Sequence, residues 1–206
     1  MTDVKIRRPI GAGEALAVAG GLLSGAFAAF AYYNEVLRLL AHAFVLWIAL
    51  VVAVSAGRGP RRAYVRTVAA LLPAVVAFYV GKKVMYGLKY PGMPYAIDTQ
   101  TLLLWCFLAV LAGTLGLAFR FVGAPTRAGT LATAAAVGLL FADAVREWSR
   151  LGSPALAAAT LLALGVVLGL GVRSRRQLGF VALWVVPFAL AATVLVALPD
   201  VLESLV

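Results

Sequence analysis

Asp143, Arg146, Glu147 and Arg150 recur three and four residues apart at the end of an otherwise apolar stretch. On a helix, positions four apart share a face, so Asp143 and Glu147 point the same way. The i,i+3 spacing also offers two local pairs, Asp143 with Arg146 and Glu147 with Arg150. Lys82, Lys83 and Tyr86 close another apolar stretch. Glu35, Arg38 and His42, with Asn34 beside them, fall between the first two stretches, and Asp98 lies in a connection rich in Gly and Pro. Brought together, these residues make a mixed-charge pocket. Lys82, Lys83, Arg38 and Arg146 suit a carboxylate or phosphate. Glu35, Asp143 and Glu147 suit an amine, or they neutralise the bases. The competing reading is structural, with local ion pairs and with Lys82 and Lys83 reaching to lipid headgroups.

The residues for catalysis are sparse. The chain has one His and one Cys, so a His/Cys metal set and the HExxH pattern are excluded. Neither GxSxG nor a P-loop occurs. No catalytic residue, metal or cofactor is expected. His42, in an apolar helix, reads as a hydrogen-bonded packing residue that lines the pocket. Cys106, in an apolar run, reads as a small core residue and has no partner for an intrachain disulfide.

The elements that must position these groups follow from composition. Of 206 residues, 64% are hydrophobic and only 13% are charged, and the mean hydropathy is +1.00. So few charges do not cover a water-soluble surface of this size. A soluble enzyme, a disordered chain and a disulfide-rich secreted domain are excluded. The expected architecture is an all-α transmembrane bundle forming one integral membrane domain, 1–206. A span takes about 20 apolar residues. Length, breakers and charge mark seven: Ala12–Tyr33, Leu39–Gly57, Thr67–Tyr86, Thr101–Phe121, Gly129–Trp148, Pro154–Val172 and Leu178–Leu198. Six remain an option, because Tyr33–Arg38 lacks Gly and Pro. A single helix from Ala12 to Gly57 would nevertheless measure about 69 Å, over twice the hydrocarbon thickness, so the chain must turn, near Asn34. The first span reads as a retained signal anchor.

The net charge of +10 is a topology signal. With a cytoplasmic N-terminus, 12 of the 18 bases fall in short inner segments, among them Lys5, Arg7, Arg8, Arg58, Arg61, Arg62, Arg66, Arg120, Arg127, Arg173, Arg175 and Arg176. Six of the eight acids lie in the outer half. The C-terminus is therefore expected outside. Without a soluble basic face, nucleic acid is excluded as a partner. Asp143 sits about 10 Å below the outer end of its span, where an ionisable group costs about 2.5–3.5 kcal/mol and by default marks a functional site. Glu14, at the inner end of the first span, is expected to pair with Arg7 or Arg8.

Gly13, Ala17, Gly21, Gly25 and Ala29 recur every four residues along the first span. Small residues let helices approach closely. The face packs within the chain, or it docks a partner membrane subunit. Tyr32, Tyr33, Tyr86, Tyr90, Trp148 and Trp184 lie near the span ends, as in an aromatic belt.

Trp47–Arg58 (WIALVVAVSAGR), Ala77–Val80 (AFYV), Ala112–Arg120 (AGTLGLAFR) and Gly138–Ala144 (GLLFADA) resemble segments of an uncharacterised family of small actinobacterial multi-span membrane proteins. The resemblance covers about half the chain, from His42 to Trp148. It implies a prokaryotic plasma-membrane protein and an acid at the position of Asp143. Family members often carry Asn where this chain has His42. No activity is implied.

The expected function is small-solute binding or transport in the outer half of the bilayer. Asp143, Arg146 and Glu147 hold the solute, and Lys82, Lys83, Glu35, His42 and Tyr86 line it. Three alternatives stand beside it. One is a substrate-binding subunit of a multi-component importer, docked through Gly13, Ala17, Gly21 and Gly25. The others are a non-catalytic scaffold and a lipid-modifying enzyme.

Overall fold

The computed structural model describes residues 11–151 and 153–203. Lys5, Arg7 and Arg8 lie outside the described residues, as does the Arg150 side chain. The elements are α1 (Ala12–Tyr32), α2 (Arg38–His42), α3 (Val45–Ser55), α4 (Pro60–Lys89), α5 (Thr99–Phe119), α6 (Arg127–Leu151), α7 (Pro154–Gly171) and α8 (Arg175–Glu203). The described residues contain no strand.

Six helices, all but α2 and α3, are long and apolar enough to cross a membrane. The second expected span, Leu39–Gly57, is in two pieces, α2 and α3, and neither alone is long enough to cross. Glu14 on α1 meets Arg66 on α4, Gly21 meets Ala70, and Gly25 meets Ala74. Partners that advance together show that α1 and α4 run parallel. The chain must therefore return between them, and it does so through α2 and α3. Laid end to end, Arg38–Ser55 is about 27 Å long, close to the hydrocarbon thickness. Likewise Gly138 faces Phe188 and Ala189, and Arg146 faces Val196, so α6 and α8 are parallel with α7 returning between them. Seven passes alternate in direction.

The ends of the elements are written locally. Asn34 Oδ1 accepts from the N–H groups of Val36 and Leu37, closing the first turn at the expected residue. Pro60 and Pro154 sit in first turns, where a missing N–H is harmless. Asp98 caps α5 by accepting from the N–H groups of Gln100 and Thr101 and from the Thr101 hydroxyl. Gly57 (φ +68°) and Gly123 (φ +83°) take left-handed conformations in the turns after α3 and α5. The Gly57 N–H donates to the Arg120 carbonyl, tying those two turns together at the arginine-rich end.

Packing is by small residues inside and large ones outside. Leu16, Leu103, Leu161, Leu183, Leu190 and Val194 are all more than 60% exposed, whereas Ala17, Ala63, Ala70, Ala74, Ala134 and Ala136 are fully buried. This inverts a water-soluble bundle and suits a lipid surround, where close approach rather than hydrophobic burial drives helix association. The face of α1 expected to dock a partner is filled from within. A Cβ on Gly21 or Gly25 would strike the backbone of α4, a Cβ on Gly13 would strike the Arg66 guanidinium, and Ala17 is fully buried. Glu14 pairs with Arg66 at 3.1 Å.

Candidate functional site

Arg146 is the centre of the polar cluster. One guanidinium nitrogen donates to Asp143 Oδ1 at 3.1 Å and to the His42 carbonyl at 2.9 Å, and it lies 3.0 Å from Glu147 Oε1. The other donates to the Val196 carbonyl at 2.7 Å and to Asp200 Oδ2 at 3.2 Å. The Phe44 ring lies beneath the guanidinium, 4.5 Å from its carbon. Asp143 and Glu147 are fully buried, and the Arg146 side chain is 11% exposed. An isolated charge at such a position would cost several kcal/mol, and the charge-assisted hydrogen bonds of Arg146 offset part of that cost.

The cluster sits where the second span breaks. Ala43 is extended, with ψ at 135°, and ends the helix between His42 and Val45. A break inside a membrane strands donors at one new helix end and acceptors at the other. Here one turn of α6 lies opposite the break and answers the acceptor end. Asp143 Oδ2 is buried there without a hydrogen-bond partner among the described residues. The His42 carbonyl, at the end of α2, accepts from Arg146. The expected uninterrupted span from Leu39 to Gly57 is thereby corrected. Neither Gly nor Pro marks the break, and Arg146 on α6 takes one of the carbonyls it frees.

An apolar cleft of about 280 Å³ begins beside the cluster. Phe44 and Val196 belong to both. Trp47, Trp105, Val75 and Leu195 extend the lining between α3, α4, α5 and α8. Its volume is near the lower end of small-molecule pockets, which begin at about 300 Å³.

The remaining expected residues divide. Lys82 is half-buried and sits over three rings, with Nζ 4.3 Å from the centroid of Tyr32, 5.3 Å from Phe78 and 5.7 Å from Tyr79. Such stacking holds a cation partly out of water. Tyr32 also touches the His42 ring, with centroids 5.6 Å apart. Lys82 therefore joins the Arg146 cluster only at second hand, through Tyr32 and His42. His42 reaches the cluster with its backbone carbonyl while its side chain packs on Tyr32. Tyr86 stacks with Tyr90 and Tyr95, at 5.0 and 4.9 Å. Glu35, Lys83 and Arg38 are exposed at the same end of the bundle. Asp98 is exposed and committed to its helix cap. Of the expected set, then, Asp143, Arg146 and Glu147 converge, and His42 meets them through its backbone.

Three participants escape a reading by spacing: Phe44, Asp200 and the Val196 carbonyl. Asp200 carried a signal, because it is an acid near the outer end of the last span. Its partner on α6 follows only from the parallel packing of α6 and α8. No protein-family model matches the chain, and neither does any curated protein or solved structure.

Proposed function

We propose that this multi-pass membrane protein binds a small organic solute at the broken second span and carries it across a prokaryotic plasma membrane. The observation that carries the reading is the gap between α2 and α3, tied on its α2 side to Arg146 and opening beside an apolar cleft. Transporters of several folds place substrate at discontinuous helices near the middle of the membrane, where half-helix ends offer backbone groups. The cleft suits the apolar body of a solute, and the Arg146 cluster suits its polar end. Membership of the small actinobacterial family that the sequence resembles is part of this proposal.

One observation favours a second reading, a non-catalytic scaffold. Both terminal nitrogens of Arg146 already donate to acceptors within the protein. On that reading the cluster only repairs the broken span. A solute screen by melting of the purified, detergent-solubilised protein separates the two. On the transport reading a solute raises the melting temperature and enters proteoliposomes. Ala112→Phe, which fills the cleft wall, then abolishes both effects while the melt without solute stays sharp. Stabilisation and uptake that survive Ala112→Phe overturn the cleft as the site. A broad screen with no hit leaves the scaffold reading in possession.

A further inference from the structure

At the arginine-rich end, a second cleft of about 820 Å³ opens between the start of α6 and the start of α8. Its charged lining is Arg127, Arg173 and Arg176, with the hydroxyls of Thr126, Thr130 and Ser174 beside them and, among the described residues, no acidic one. Its other wall is apolar and faces outward, with Phe180 48% and Trp184 44% exposed. The floor is rigid. Gln177 is buried, accepts from the Arg173 N–H at 2.8 Å and donates to the Gly171 carbonyl at 3.1 Å. The Arg176 guanidinium carbon lies 5.8 Å from the Phe180 ring, where cation and apolar wall meet.

We propose that this cleft is a binding site for an anionic glycerophospholipid. Three guanidiniums without a carboxylate among them match a phosphate, and guanidinium–phosphate pairing is strong and directional. Free phosphate satisfies the arginines but leaves Phe180 and Trp184 facing nothing. A phospholipid satisfies both, with its phosphate at Arg127, Arg173 and Arg176 and an acyl chain running down α8 along Phe180 and Trp184. The depth agrees, because these residues fall where a span begins and headgroups lie. Basic clefts between membrane helices at this level are a recognised lipid-binding arrangement. The arginines of this end thus do more than set orientation.

The test uses the full chain in nanodiscs of phosphatidylcholine with increasing phosphatidylglycerol, read by melting temperature and by native mass spectrometry of retained lipid. Phosphatidylglycerol is expected to stabilise the protein and to be retained in preference to phosphatidylcholine, while inorganic phosphate at millimolar concentration does neither. Arg127→Gln, Arg173→Gln and Arg176→Gln each weaken retention by about fivefold, and Arg61→Gln, on another element at the same end, leaves it unchanged. Should a cleft variant fail to accumulate, Trp184→Ala tests the apolar wall instead and is expected to reduce retention with the arginines intact. Equal retention of the two lipids, an equal loss with Arg61→Gln, or full occupancy by inorganic phosphate overturns the proposal.

Discussion

Arg146 on α6 donates to the carbonyl of His42, the residue that ends α2 at the break in the second span, at 2.9 Å. The same guanidinium nitrogen pairs with Asp143, one turn back on α6, at 3.1 Å. One polar turn thereby ties the end of α2 to α6 and takes up an acceptor that an unbroken helix would have used itself.

Removing both members of this pair should cost less than the two single removals added together. Arg146→Met leaves Asp143 and Glu147 buried without their shared cation and should destabilise the protein by about 3–5 kcal/mol. Asp143→Asn combined with Arg146→Met should cost less than the sum of the single changes, because the groups act as a unit. Reversible unfolding in mixed micelles measures all three. Strict additivity would show that the pair is not coupled.

Glycine substitutions should separate close helix contacts from open faces. A Cβ at Gly21 meets the Ala70 carbonyl and one at Gly25 meets the Ala74 carbonyl, so Gly21→Ala and Gly25→Ala must push α1 off α4. About 1–3 kcal/mol is the expected cost, as for other overpacked positions. Gly165 and Gly169 on α7 have no atom within 4 Å of an added Cβ, and their Ala variants should melt like the parent protein. Equal melting of both pairs would contradict the parallel packing of α1 on α4.

The cap of α5 predicts a pH dependence. Hydrogen bonds from the Thr101 hydroxyl and from the Thr101 and Gln100 N–H groups hold the Asp98 carboxyl below its usual value of 3.8, against a smaller opposing effect of burial. Its folded-state value is lower than its unfolded one. The contribution is therefore fully present above the unfolded value and is lost as pH falls through the folded one. Amide exchange at Gln100 and Thr101 should stay slow from neutral pH down to about 4, once corrected for the intrinsic rate, and rise below it. Asp98→Ala should remove the dependence. Fast exchange at neutral pH in the parent protein would show that the cap is not formed.

The order of the passes predicts the location of the chain ends. If the arginine-rich turns follow the positive-inside rule, the last pass leads away from the cytosol, and a reporter active only outside it, fused after Val206, should be active. A silent fusion would mean that α2 and α3 do not complete a crossing.

The all-helical architecture and its six long apolar helices were legible in the sequence, because each depends on local apolarity, span length and turn residues such as Asn34, Gly57 and Asp98. The cluster of Asp143, Arg146 and Glu147 was legible for the same reason, since i,i+3 and i,i+4 spacing is a property of one helix. Tertiary structure decided the rest. Nothing in the Ala41–Leu46 run marks a break, because the break is stabilised from α6, a hundred residues away in the chain. Alternating passes place Lys82, Glu35 and Lys83 at one height, but height does not set the lateral direction of a side chain. Packing sends Lys82 onto the rings of Tyr32, Phe78 and Tyr79 and leaves Glu35 and Lys83 exposed. The glycine face of α1 was equally visible as a pattern, but which helix fills it depends on the parallel return of α4. One sequence records the periodicity of each helix, and the azimuth of one helix against another is fixed only when all seven passes pack.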